Sequence, residues 1–288
     1  MRNKARKKII FMQKINIKPF KRIEYSKALN FLQKKQIKTI CIEANCPNRY
    51  ECFSKKSSAF LILGKNCTRD CRYCNVKKIK PEQVDKNEPK RIANAVHSLN
   101  LKYAVITSVA RDDLTDGGAR QFVKVINAIK KKSKTCKIEI LIPDFNGNKT
   151  SLSLVLSAKP FVINHNIEAV KRIFKKVRPM GDYKTSLMLL KRIKEINPQQ
   201  ITKSGFMLGL GEKNKDMLST LIDLKKSLVD IITIGQYLSP SPKHYPVKKY
   251  YSKKEFEQIK KIAQKVGFKK VFCGQLVRSS YHAEEAMK

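Results

Sequence analysis

From residue 57 to the C-terminus, short apolar segments alternate with longer segments in which apolar residues recur at helical spacing. The short segments are almost unbroken in Ile, Val, Leu and Phe, which is typical of parallel strands covered on both faces. This alternation predicts right-handed β–α–β crossovers and a parallel sheet. The predicted strands are 57–64, 101–109, 137–143, 160–166, 201–210, 230–238 and 269–276. The predicted helices are 119–132, 151–158, 168–176, 183–196, 215–229 and 253–267, and a linker is expected around 81–89.

Six strands between residues 59 and 238 are too few for a closed eight-stranded barrel. We therefore predict an α/β fold with a partial (β/α)6 barrel over 57–268. A basic N-terminal extension (1–56) and a C-terminal strand with its tail (269–288) are expected to cover the open side. Residues 1–38 are predicted to form an arm or short helices on the surface. Functional groups of parallel α/β folds lie at the C-terminal ends of strands, so polar residues just past each strand are the first candidates.

Six of the eight cysteines form two triplets. The first reads C-x4-C-x5-C and the second C-x3-C-x2-C, and their members are Cys41, Cys46 and Cys52, and Cys67, Cys71 and Cys74. Three thiolates are one too few for a closed tetrahedral metal site, and an iron–sulfur cube held entirely by protein takes four. A cube held by three leaves one iron open to another ligand. The two triplets therefore indicate two clusters, each with an open position.

Other uses of the cysteines fit the pattern less well. Two four-thiolate zinc sites would need Cys136 and Cys273, which are distant in sequence and in unrelated contexts. A disulfide framework belongs to small secreted domains, whereas this chain has 288 residues and no secretory signal peptide.

The formal net charge of +39 has three open interpretations. The 49 lysines far outnumber the 13 arginines and are spread along the chain, whereas recognition of phosphates and bases favours arginine. Drift toward A/T-rich codons is one explanation, and attraction to an acidic protein partner is another. Nucleic-acid binding is the third, and we predict no nucleic-acid partner.

The sequence contains no apolar run near the ~18–20 residues that span a bilayer, so no membrane association is expected. The basic N-terminus lacks the apolar core of a signal peptide. A mitochondrial transit peptide is an open alternative, although the first 25 residues contain no serine. We predict a soluble protein in a reducing cytoplasm.

The second triplet lies on the loop GKNCTRDCRYCNV (64–76), directly after the first predicted strand. A C-x3-C-x2-C motif on the first β–α loop resembles the radical S-adenosylmethionine (SAM) superfamily. The resemblance implies a barrel of that type, in which the open iron chelates the amino and carboxylate groups of SAM. An electron from the cluster then cleaves SAM to methionine and a 5′-deoxyadenosyl radical, which abstracts hydrogen from an unactivated carbon.

The rest of the chain, from about residue 40 to the C-terminus, is similar to the lipoyl synthase family. The matching segments, in the family's order, are CIEANCPNRYEC (41–52), ITSVARDDLTDGGA (106–119), PDFNGN (143–148), INHNIEAV (163–170), VRPMGDY (177–183), SGFMLGLGE (204–212), IGQYLSPSPKHYPV (234–247) and LVRSSYHA (276–283). The similarity implies insertion of two sulfur atoms at C6 and C8 of an octanoyl chain that is amide-linked to a lysine. A biotin synthase-like or tRNA methylthiotransferase-like enzyme is the alternative.

The similarity also implies residue roles and partners. Two [4Fe-4S] clusters are expected, with SAM as co-substrate. The second triplet holds the SAM-cleaving cluster, and the first triplet with Ser280 holds an auxiliary cluster that donates sulfur. An alkoxide is a poor match for iron among soft thiolates, so Ser280 should leave readily. The expected partners are octanoylated lipoyl carrier domains (of 2-oxoacid dehydrogenase acyltransferases and the glycine cleavage carrier protein), a ferredoxin- or flavodoxin-like reductant and an iron–sulfur cluster carrier.

Contacts to SAM are predicted at two glycine-rich strand ends. The backbone of Asp116, Gly117 and Gly118 is expected to hold the methionyl part, and Gly209 and Gly211 to let backbone approach the ligand. Glu212 is expected to contact the adenosyl part. The chain departs from the family pattern at Cys273-Gly274-Gln275, where SGP is usual, and at Phe53, where Trp is usual.

Overall fold

Seven parallel strands form a single sheet in chain order. The computed structural model describes residues 21–55 and 57–287. The strands are β1 (Ala59–Ile62), β2 (Tyr103–Ser108), β3 (Lys137–Leu141), β4 (Val162–Asn164), β5 (Ile201–Leu208), β6 (Ile231–Gln236) and β7 (Lys270–Gly274). The prediction of a parallel α/β sheet is confirmed, and all seven predicted segments contain a strand.

Ten helices are described in the same residues. They are α1 (Arg22–Lys34), α2 (Ile40–Glu43), α3 (Arg49–Ser54), α4 (Glu88–Ser98), α5 (Ala119–Lys132), α6 (Lys149–Ser157), α7 (Lys171–Val177), α8 (Tyr183–Ile196), α9 (Asn214–Lys226) and α10 (Lys253–Val266). Short 3₁₀ turns occupy Phe145–Gly147 and Ala283–Met287. Of these helices, none is both long and apolar enough to cross a membrane.

Helix α4 begins where the sequence suggested only a linker. Pro89 lies in its first turn, where a missing N–H costs nothing because that group has no intrahelical partner. Ile92, Ala93 and Val96 form its buried face. The proline therefore marks a helix start rather than a continuing linker.

The sheet register brings large apolar side chains into rows across the strands. Phe60 of β1 pairs with Ile106 of β2, which pairs with Ile140 of β3, which pairs with Ile163 of β4. All four side chains are fully buried. Packing in the main hydrophobic core excludes water from this row, which explains why these strands are rich in apolar residues.

The N-terminal extension lies against the β1 edge of the sheet. Thr39 forms an antiparallel bridge with Phe60, and Leu61 donates its N–H to the carbonyl of Lys38 at 2.9 Å. Helix α1 packs on α3 through Tyr25, whose ring stacks on Phe53 at 5.9 Å between centroids. The predicted arm is thus helical over Arg22–Lys34, and its first 20 residues lie outside the described part of the chain.

Candidate active site

A cavity of about 580 Å³ opens at the C-terminal ends of the strands. Residues from β2, β5 and β6 line it, together with the loops that follow β3 and β4. Five of the six triplet cysteines also line it, namely Cys41, Cys46, Cys67, Cys71 and Cys74. The tail segment Arg278–Ser280 completes the wall. Segments far apart in sequence therefore meet at one cavity.

The loop of the second triplet is held by main-chain hydrogen bonds from three directions. The N–H of Cys67 donates to the carbonyl of Lys77 at 2.8 Å, which closes the loop on itself. Arg72 donates its N–H to the carbonyl of Val177 and accepts at its own carbonyl from the N–H of Tyr245, both at 2.8 Å. The segment that follows β6 thus clamps this loop from outside, leaving its thiols toward the cavity.

Arg69, between Cys67 and Cys71, ties the loop to two neighbouring strands. Its guanidinium donates to both carboxylate oxygens of Asp112 at 2.7 Å and to both of Asp144 at 2.6 and 2.7 Å. Asp112 follows β2 and Asp144 follows β3. Burial alone would raise the pKa of Asp144, but the hydrogen bonds and charge of Arg69 outweigh this and lower it. Two bidentate ion pairs therefore fix the loop on the sheet.

The first triplet occupies two short helices beside β1. Cys41 lies in α2, Cys52 lies in α3, and Cys46 lies between them and donates its N–H to the carbonyl of Cys41 at 3.0 Å. Burial, and then the neighbouring Cys46, raises the pKa of Cys41 to about 12. Burial, and then Cys41 and Cys46, raises the pKa of Cys52. Cys52 lines a second cavity, of about 280 Å³, that also borders Tyr281.

The donor set fits metal clusters. All eight cysteines are free thiols. Burial raises the pKa of Cys74 to about 12, so without a cation this thiol stays protonated at neutral pH. Within 21–55 and 57–287, no three His, Cys, Asp or Glu side chains converge as they would around a single ion. Thiolates that bind different irons of a cube stand farther apart than ligands of one ion, so this finding concerns a single-ion site and not a cube.

The other two cysteines lie away from both triplets. Cys136 is buried beside the start of β3, and its thiol contacts the carbonyl of Lys137 at 3.5 Å. Cys273 donates weakly to the carbonyl of Phe256 in α10 at 3.3 Å, and burial raises its pKa to about 12. Cys136 precedes β3, at the end of that strand remote from the cavity, and Cys273 faces α10, so neither is placed to supply the fourth thiolate that a zinc interpretation requires.

The C-terminal tail brings Ser279, Ser280 and Arg278 to the same cavity. Asn48, two residues after Cys46, donates to the carbonyl of Leu276 at 2.7 Å. Tyr281 donates its hydroxyl to Glu51, the neighbour of Cys52, at 2.8 Å. The tail is thus bound to the first-triplet segment on both sides of Ser280.

A polar group on the β4–β5 side of the cavity was not predicted from the sequence. Glu168 adopts a left-handed backbone with φ of 68°, which is rare for a side chain of this size. Its N–H donates to Gly205 and its carbonyl accepts from Met207, both at 2.9 Å, so β5 holds this conformation. Burial raises the pKa of Glu168, and the charge of nearby Arg178 opposes that rise.

Four wall residues carry buried polar atoms that have no hydrogen-bond partner among the described residues. These atoms are Arg49 Nε, Ser108 Oγ, Asn166 Oδ1 and Arg178 Nε. Buried polar groups in proteins are almost always paired, so unpaired atoms at a cavity wall indicate a polar ligand. The sequence signal for Ser108 and Asn166 was their position at the end of β2 and just past β4, whereas Arg178 follows helix α7 and carried no such signal.

The six residues predicted to contact SAM lie elsewhere. Asp116 accepts from the N–H groups of Gly118 and Arg120, both at 2.9 Å, at the start of α5. Glu212 accepts from the N–H of Gly209 at 2.7 Å and from the hydroxyl of Tyr251 at 2.8 Å. These hydrogen bonds build turns, and none of Asp116, Gly117, Gly118, Gly209, Gly211 and Glu212 lines the cavity. Their contact with SAM stays a prediction that the geometry does not favour.

Comparison with known proteins identifies the family. The profile of the radical SAM superfamily matches residues 61–224. The chain is 51% identical over 266 residues to the lipoyl synthase of Alkaliphilus metalliredigens, covering 92% of this chain and 91% of that protein. It is 50% identical over 275 residues to the lipoyl synthase of Caldicellulosiruptor saccharolyticus, covering 96% of each.

A solved structure shows the same fold. The crystal structure of methylornithine synthase (PylB) superposes with a TM-score of 0.55 at 12% identity, covering 74% of this chain and 70% of that one. The prediction of a radical SAM-type partial barrel is thereby confirmed. The full-length identities and the superfamily match agree with the motifs, and the chain belongs to the lipoyl synthase family of the radical SAM superfamily.

Proposed function

We propose that this chain inserts sulfur at C6 and C8 of an octanoyl group carried on a lysine of a lipoyl carrier domain. The observation that carries the proposal is the shared cavity, because five cysteines of the two triplets and Ser280 line the same space. A substrate carbon in this cavity can reach both a radical source and a sulfur source without leaving it.

Membership of the family implies a [4Fe-4S] cluster with SAM and, beside it, an auxiliary cluster. Cys67, Cys71 and Cys74 are the proposed ligands of the first. When bound, that cluster supplies the electron that cleaves SAM to a hydrogen-abstracting radical. The chain's part is to supply the three thiolates, and Arg69 fixes the loop that bears them.

SAM is proposed to bind against the β4–β5 side of the cavity. Asn166 offers an unpaired polar atom there, Ser108 offers another from the end of β2, and Glu168 lies just past β4 in the same cavity wall. A carboxylate and neutral polar atoms suit the sulfonium and ammonium groups of SAM. The apolar remainder of the wall, including Phe206 and Val109, keeps water from the radical.

The auxiliary cluster is proposed to be the sulfur-donating substrate, held by Cys41, Cys46, Cys52 and Ser280. Ser280 lines the cavity, and hydrogen bonds at Leu276 and Tyr281 tie the tail around it to the cysteine segment. A serine oxygen binds iron less firmly than a thiolate among soft ligands, so its release opens the cube for sulfur loss.

The proposed partners follow from this reaction. Octanoylated carrier domains present the substrate lysine, a ferredoxin- or flavodoxin-like protein supplies electrons, and an iron–sulfur carrier restores the consumed cluster. The net charge of +39 favours acidic partners.

Anaerobic turnover tests the proposal. Reconstituted protein is mixed with an octanoyl-lysine peptide, SAM and a reductant, and the peptide is analysed by mass spectrometry. Gain of two sulfur atoms per peptide is expected. SAM cleavage without sulfur gain would contradict the proposal.

A further inference from the structure

We propose that Lys203 is a positioning residue that fixes the C-terminal tail inside the barrel and thereby presents Ser280 to the first-triplet cysteines. The inference rests on the proposed function. Lys203 does not line the cavity and touches no proposed cluster ligand; it acts through the backbone of Ser279.

Lys203 and Glu139 form an ion pair in the centre of the barrel. Nζ of Lys203 lies 2.9 and 3.2 Å from the two oxygens of Glu139, and the side chains are 2% and 0% exposed. The hydroxyl of Tyr103 donates to Glu139 at 2.7 Å, and the amide of Asn164 donates at 3.2 Å. Each oxygen of the carboxylate is therefore satisfied.

A buried ion pair is a poor way to stabilise a core, because desolvation offsets most of the attraction. Here the ammonium has a further partner, since it donates to the carbonyl of Ser279 at 2.6 Å. A charged donor makes a stronger hydrogen bond than a neutral one. Glu139 thus balances the positive charge of Lys203, and a further N–H of the same ammonium donates to the tail at the carbonyl of Ser279.

Two further contacts fix the same stretch of tail to neighbouring strands. The amide of Asn166, just past β4, donates to the hydroxyl of Ser279 at 2.6 Å. A Cβ on Gly235 in β6 would lie 2.0 Å from the carbonyl oxygen of Val277, so only glycine lets the tail pass there. Strand β5, through Lys203, holds the tail between these two points.

The anchor has a consequence for ligand release. Ser280 lies between Ser279, held by the barrel, and Tyr281, held by Glu51. If Ser280 held an iron, these two anchors would keep its backbone in place when its oxygen is released. Release would then be a side-chain movement, and the tail would remain over the cavity.

A double variant separates anchoring from folding. Lys203→Met alone would leave Glu139 as an uncompensated buried charge, which is strongly destabilising. Lys203→Met with Glu139→Gln removes both charges and keeps an amide for Tyr103 and Asn164. The second variant is Lys203→Gln with Glu139→Gln. The glutamine side chain at position 203 is shorter than that of lysine and does not reach Ser279. Lys194→Met is the control. Lys194 pairs with Asp230 at 2.5 Å and both side chains are 9% exposed, but Asp230 keeps Lys269 as a second cation at 2.9 Å, and the Lys194 pair does not involve residues 275–287.

The measurement is hydrogen exchange on the reconstituted holoenzyme. A purely structural role for Lys203 would change exchange over the whole chain, whereas an anchor for the tail would change it only in the tail. Peptides covering 275–287 should exchange at least about tenfold faster in either double variant, as expected for loss of a charged hydrogen bond. Peptides of α5 and α10 should be unchanged, and Lys194→Met should leave the tail unchanged. Lipoyl product should fall in the double variants while 5′-deoxyadenosine formation persists.

Wild-type exchange of the tail in a folded double variant would overturn the inference, as would equal acceleration over the whole chain. Failure of the proposed function is seen separately, as absence of lipoyl product from the wild-type enzyme. The exchange comparison still decides whether Lys203 holds the tail in that case.

Discussion

Nη2 of Arg69 lies 2.6 Å from Oδ1 of Asp144, which joins the cysteine loop after β1 to the end of β3. The two side chains are 4% and 3% exposed. The position of three proposed cluster ligands therefore depends on an ion pair between segments 75 residues apart in sequence.

Arg69→Met should destabilise the fold because Asp144 and Asp112 would lose their shared cation. Removal of one partner of a buried pair costs about 3–5 kcal/mol. Chemical denaturation under anaerobic conditions measures the loss. The control is Arg91→Met, whose pair with Asp85 is 29% and 43% exposed and should cost about 1 kcal/mol or less. Equal losses for the two variants would show that the Arg69 pairs do not fix the loop.

Cys71→Ala should abolish 5′-deoxyadenosine formation, because two thiolates do not hold the SAM-cleaving cluster. The auxiliary cluster should survive, so the variant should retain iron and acid-labile sulfide at about half the wild-type content. Cys136→Ala is the control and should cleave SAM normally. Normal cleavage by Cys71→Ala would refute the assignment of the second triplet.

Ser280→Cys should insert little or no sulfur, because a thiolate holds its iron more firmly than an alkoxide. The variant should bind a full complement of iron and still form 5′-deoxyadenosine. Ser280→Ala should give a more labile cluster and reduced turnover. Ser279→Cys should be milder, since the Ser279 hydroxyl pairs with Asn166. Product formation by Ser280→Cys at the wild-type rate would show that Ser280 does not control sulfur release.

Salt should slow the reaction of a whole carrier domain more than that of a short octanoyl-lysine peptide. The charge of +39 should steer an acidic domain, and such steering is screened once the Debye length falls to ~10 Å near 0.1 M salt. Initial rates over a salt series with each substrate measure the difference. Equal salt dependence of the rate for the two substrates would show that the positive charge does not steer the carrier domain and reflects compositional drift.

The strands and the two triplets could be predicted from the sequence because both are local patterns. Apolar runs such as 201–210 and 230–238 carry a strand signal in themselves. Each triplet lies within twelve residues or fewer, so it can be noticed without a distant partner. Helix α4 is not predicted by the sequence pattern, because a proline at 89 fits a linker as well as the first turn of a helix.

The polar contacts of the site could not be predicted in the same way. Arg69 with Asp144, Lys203 with Glu139, and Asn166 with Ser279 each join segments that only the folded sheet brings together. The glycine-rich strand ends predict contacts to SAM from the sequence. In the structure, however, Glu212 accepts from the N–H of Gly209 in a turn, and neither residue lines the cavity. His165 does line the cavity, and burial lowers its pKa to about 4. Its two ring nitrogens lie 2.9 Å from the carbonyl oxygen of Ile142 and 3.0 Å from the hydroxyl of Ser186, so both are paired within the protein.

The most direct test of the account follows the sulfur itself. The clusters are assembled with isotopically heavy sulfide, and one anaerobic turnover is run with octanoyl-lysine peptide, SAM, reductant and ordinary sulfide in solution. The account predicts that both sulfur atoms of the lipoyl product are heavy, and that Cys46→Ala, which lacks an auxiliary ligand, forms 5′-deoxyadenosine but no sulfur-containing product. Product that carries ordinary sulfur from solution, or sulfur insertion by Cys46→Ala, would contradict it.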